Sequence, residues 1–67
     1  METGTVKMFD HFKGYGFIVT EDGDEIYFSQ KDVHPKYKNV LIKENMKVGF
    51  DSKREMKGDR AVNIRLL

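Results

Sequence analysis

The sequence predicts an all-β chain, a small five-stranded antiparallel barrel. Five short segments carry alternating apolar residues and are separated by turn residues along a 67-residue chain. No long amphipathic helix, internal repeat or linker interrupts them. Closing so few strands on themselves also removes the bare edges that an open sheet would present to water. A chain of this length buries only about 60% of its unfolded surface, so the core is small. The expected core is Val6, Ile18, Ile26, Phe28, Val33, Val48, Phe50, Val62 and Ile64, within a single domain over residues 1–67.

Met1 to Asp10 reads as the first strand, with Val6 as its core residue. Simple alternation turns Thr5, Lys7 and Phe9 outward and Met8 inward. His11-Phe12-Lys13-Gly14 is a turn. Tyr15–Thr20 and Glu25–Gln30 are the second and third strands. Between these two, a two-residue turn at Asp22-Gly23 would set outward Tyr27 opposite inward Ile18. A three-residue loop, Glu21-Asp22-Gly23, instead pairs Phe17 with Tyr27, Ile18 with Ile26 and Tyr15 with Ser29, so like faces meet. Gly23 suits the left-handed position that ends such loops.

After Lys31 the strand pattern lapses. Lys31 to Pro35 fits one helical or 3₁₀ turn that Pro35 ends, Lys36 to Asn39 a basic loop, and Val40-Leu41-Ile42 apolar cover. Asn45 suits a left-handed turn. Met46, Val48 and Phe50 then mark the fourth strand. A charged turn from Lys53 to Asp59 leads to the fifth, in which Val62, Ile64 and Leu66 alternate with Asn63 and Arg65.

The predicted register leaves Tyr15, Phe17 and Tyr27 clustered on a solvent-facing sheet surface. Planar rings beside lysines are what stacking of unpaired bases requires, at roughly 1–3 kcal/mol per stack. The charge distribution is uneven although the net charge is only +1. Residues 1–30 carry two basic and six acidic side chains, and residues 31–67 carry ten basic and five acidic ones. Four of the early acids, Glu21, Asp22, Asp24 and Glu25, sit around the hairpin tip and need not oppose phosphate if that tip points away from the aromatic face.

Other chemistry finds little to stand on. The chain has no cysteine, which removes disulfides, thiolate metal sites and a cysteine nucleophile. His11 and His34 are isolated and lack a second ligand at metal spacing. The acidic tip lacks the spaced ligands of a calcium loop. The serines have no adjacent histidine and acid, so no enzyme, metal or cofactor is expected. With no membrane-length apolar run and no signal peptide, the expectation is a soluble cytoplasmic monomer with no small-molecule substrate.

Gly4-Thr5-Val6-Lys7, Phe9, Lys13-Gly14-Tyr15-Gly16-Phe17-Ile18, Ile26-Tyr27-Phe28, Lys57-Gly58 and Ala61-Val62-Asn63-Ile64 together resemble the bacterial cold-shock protein family. The similarity runs in order through nearly the whole chain. An RNA-recognition-motif fold shares the Lys-Gly-aromatic-Gly-aromatic signature but needs two packed helices, for which this chain has no room. The resemblance implies a barrel of the oligonucleotide-binding (OB) type that binds single-stranded RNA or DNA, acting as an RNA chaperone or a regulator of transcription or translation.

Carried over by position, the resemblance assigns nucleic-acid contacts to Lys7, Phe9, Lys13, Tyr15, Phe17 and Tyr27. In the loops it assigns them to Tyr37 and Lys57, and Lys38, beside Tyr37 in the basic loop, is expected to meet phosphate. Met8 stands where the family usually has a stacking tryptophan, and Ser29 and Gln30 replace a usual histidine and phenylalanine. Asp10 replaces a usual asparagine. The family places residue 8 on the binding surface, whereas alternation turns it inward. Fewer flat groups imply weaker binding than in a typical member. The competing reading is a protein-interaction module in which Met8, Ser29 and Gln30 have made the depleted face a protein contact.

Overall fold

The computed structural model describes residues 1–67 and contains five strands: β1 (Glu2–Asp10), β2 (Tyr15–Thr20), β3 (Glu25–Ser29), β4 (Lys47–Lys53) and β5 (Arg60–Leu66). They close into a barrel in the order β1-β2-β3-β5-β4. The β1–β2, β1–β4, β2–β3 and β4–β5 pairs are antiparallel. The closing β3–β5 contact is parallel and consists of the pair Tyr27–Arg60, continued below by an isolated parallel bridge between Val33 and Ile64.

The hairpin has the predicted three-residue loop. Tyr15 pairs with Ser29, Phe17 with Tyr27 and Ile18 with Ile26. The Gly23 amide donates to the Thr20 carbonyl at 2.9 Å, and Gly23 takes a φ of 90°, a conformation that costs a residue without Cβ little.

Two bulges break the simple alternation. On β1, Val6 pairs with Ile18 and Met8 with Phe17, so Lys7 is an extra residue. Downstream of it the faces exchange. Met8 lies on the Phe17 face, outward, and Phe9 pairs with Gly16 and turns toward the interior. The inward Met8 and outward Phe9 expected from alternation are therefore both corrected. On β5, Gly49 pairs with Arg65 and Asp51 with Val62, which leaves Asn63, at a φ of 52°, as the added residue. Ala61 then takes the buried place expected for Val62, which is only half-buried.

The core is Val6, Ile18, Ile26, Phe28, Val33, Ile42, Val48, Phe50, Ala61 and Ile64. Phe28 and Phe50 are fully buried, and each contributes on the order of 1.5–3 kcal/mol. Ile42, read from sequence only as loop cover, fills the core, whereas its neighbours Val40 and Leu41 stay exposed. The long connection holds two 3₁₀ turns rather than one, Gln30–Asp32 and Pro35–Tyr37. Pro35 does not end the first turn but opens the second, where its missing N–H costs nothing. Asn45 has the expected left-handed backbone, with a φ of 72°.

Candidate nucleic-acid interface

The aromatic face is assembled by β2 and β3. Tyr15 and Tyr27 are stacked at 6.1 Å between centroids with 24° between their planes. Phe17 meets each of them edge-on, also at 6.1 Å. Tyr27 is 37% exposed, and Tyr15 and Phe17 are half-buried by their neighbours. The three rings therefore support one another as a platform and still offer surface to a ligand.

Gly16 explains why glycine separates the two rings on β2. A Cβ there would collide with the Met8 carbonyl oxygen and lie 2.9 Å from Phe9 Cδ1 and 3.0 Å from Phe28 Cε1. Phe9 is stacked on Phe28 at 5.4 Å and meets His11 edge-on at 4.8 Å. It is a half-buried support under the turn, in contact with the core, rather than a free outer ring.

Lys7 and Glu25 form an ion pair of 2.6 Å across the outer side of β2. Glu25 pairs with Val19 and shares the face of Tyr27 two residues on. One acid of the hairpin thus sits on the aromatic face and neutralises Lys7, contrary to the expectation that the tip acids lie clear of it. Lys13, Lys38 and Lys57 form no ion pair. Lys13 rides on a turn organised by Asp10, whose carboxylate accepts from the amides of Phe12 at 2.9 Å and Lys13 at 3.0 Å. The charge of Asp10 is thereby partly spent on the backbone.

Ser29 has a structural task. Its hydroxyl accepts from the Lys31 amide at 3.3 Å, and its own amide donates to Asp32 at 2.9 Å, a reciprocal cap on the first 3₁₀ turn. Tyr37 belongs to a second group, away from the three-ring cluster. It packs against the core edge, meets His34 edge-on at 6.4 Å and lies 5.7 Å below the Lys36 ammonium. Lys38 follows it, exposed, at the end of that turn.

Lys57 lines a cleft with Tyr27, Glu55, Gly58, Asp59 and Arg60. Arg60 is the residue that sequence reasoning missed. Its guanidinium lies 5.5 Å from the Tyr27 ring centroid, and its Nε donates to Asp32 at 2.8 Å. That hydrogen bond raises the pKa of a group already charged at every working pH. Nothing local in the sequence joins positions 27, 32 and 60; only closure of β5 against β3 does.

The face is thus a glycine-spaced aromatic platform on a five-stranded barrel, edged by lysines. The family described as the "'Cold-shock' DNA-binding domain" matches residues 2–67. The chain belongs to the cold-shock domain family. Cold-shock relatives align with it over nearly their whole lengths. The cold shock-like protein of Aquifex aeolicus is 42% identical over 65 residues, covering 96% of this chain and 91% of that protein. The major cold shock protein of Streptococcus pyogenes serotype M1 is 39% identical over 64 residues, covering 96% and 94%. Cold shock protein 1 of Lactiplantibacillus plantarum is 38% identical over 64 residues, covering 96% of each chain. The aromatic and basic face and the family together support nucleic-acid binding. No group of three or more His, Asp or Glu side chains is placed to hold a metal ion, and no helix is long and apolar enough to cross a membrane.

Proposed function

We propose that this cold-shock domain binds single-stranded RNA or DNA as a cytoplasmic monomer and acts as an RNA chaperone or a regulator of transcription or translation. The observation that carries the reading is the Tyr15–Phe17–Tyr27 cluster, three mutually braced rings open on one side. Bases stack on Tyr15, Phe17 and Tyr27, with Met8 beside Phe17 as a flexible apolar extension. Phe9 supports this surface from below. Lys13 and Lys38 meet phosphates, Lys57 meets the strand beside Tyr27, and Lys7 meets a phosphate once it leaves Glu25. Tyr37 offers a further ring where the strand runs over the long loop, and Ser29 holds that loop in place through its cap. Membership of a family described as a DNA-binding domain favours the nucleic-acid part of the reading.

Titration of a fluorescent oligothymidine at low salt tests it. Binding is expected, and Tyr27→Ala is expected to weaken it by about 1–3 kcal/mol while the melting temperature changes little. Absence of binding at low salt would refute the proposal.

A further inference from the structure

The cleft between Tyr27 and the β4–β5 connection is built differently from the rest of the face. It measures about 460 Å³ and is lined by Tyr27, Glu55, Lys57, Gly58, Asp59 and Arg60. Arg60 is held there from two sides. Its Nε donates to Asp32 at 2.8 Å, and its Nη1 lies 3.6 Å from Glu55. Asp32 is itself fixed, because the same carboxylate oxygen accepts the Ser29 amide at 2.9 Å. The Arg60 side chain is 16% exposed, so an otherwise mobile residue presents a restrained planar group beside an aromatic ring. A group ordered before the ligand arrives spares the entropy of ordering it afterwards.

We propose that this cleft is a guanine-selective subsite, with Arg60 as a further base-contacting residue; the inference rests on the single-strand reading above. Guanidinium planes and aromatic rings are the surfaces on which unpaired bases stack. The polar lining then discriminates between bases. Glu55 and Asp59 only accept hydrogen bonds, and Lys57 only donates them. Guanine carries two adjacent donors, N1–H and the N2 amino group, which suit a carboxylate, and two acceptors, O6 and N7, which suit an ammonium. Thymine and uracil have a single ring N–H donor, and adenine and cytosine have only the exocyclic amino group. The two carboxylates also repel phosphate, so the cleft receives a base edge while the backbone follows the lysines outside.

A titration series decides it. Oligothymidine is compared with strands of equal length carrying one guanine at each position in turn. One position is expected at which guanine strengthens binding about fivefold or more. The Glu55→Gln, Asp59→Asn double variant is expected to bring that ratio close to one. Arg60→Lys, which keeps the charge beside Asp32 but loses the plane, is expected to reduce it. Oligothymidine binding with no favoured guanine position overturns the subsite alone, as does a preference that survives in the double variant. Failure to bind any strand overturns the underlying reading and the subsite with it.

Discussion

At the residue scale, the interface is decided by which charges and rings are free. Lys7 is not, because Glu25 holds it at 2.6 Å on an exposed surface. An exposed pair of this kind contributes little to stability, so its main effect is on what Lys7 can do for a ligand. Glu25→Gln is therefore expected to leave the melting temperature nearly unchanged and to tighten oligonucleotide binding. The slope of log K against log salt should steepen by roughly 0.7, one extra phosphate contact, in titrations across a salt series. Met8 offers the complementary gain. It lies beside Phe17 on the outer face, where a thioether gives less flat area than an indole. Met8→Trp is expected to strengthen oligothymidine binding by about 1–3 kcal/mol, measured by the same titration. A Met8 buried in the core would instead make that variant unfold more readily.

At the scale of elements, the β2–β3 hairpin was legible from sequence because its register follows from matching faces. A three-residue loop is the choice that sets Phe17 against Tyr27 and Ile18 against Ile26, and the structure has that register. The bulges at Lys7 and Asn63 were not legible. Each adds one residue whose side chain is unexceptional, and each inverts the pattern beyond it, which is why alternation puts Met8, Phe9 and Val62 on the wrong sides and leaves Ala61 out of the expected core. Family resemblance placed residue 8 correctly where periodicity did not. Arg60 was hidden for a different reason, since its partners come from distant parts of the chain. Gly16 is a test of how tightly these elements meet. The space a Cβ needs is occupied by the Met8 carbonyl, Phe9 and Phe28. Gly16→Ala is expected to cost about 1–3 kcal/mol of stability by overpacking. In thermal melts of a domain this small that is a fall of about 4–8 °C for each kcal/mol.

At the scale of the whole molecule, a 67-residue barrel with a ten-residue core has little stability in reserve. Ligand binding should then be visible as stabilisation. A single strand present at a hundred times its dissociation constant adds about 2.7 kcal/mol. Melts with and without it should differ by roughly 10–20 °C. A random duplex, whose bases are already stacked on one another, should shift the transition far less. The barrel is also unevenly sealed. Four of its seams are antiparallel ladders, but β3 meets β5 within the strands only at Tyr27 and Arg60. Regions with few backbone bonds open at the smallest free-energy cost. Amide protons along this join should therefore exchange with deuterium earliest among the strands, and each such breathing event would part Tyr27 from Arg60 before any other stave of the barrel loosened.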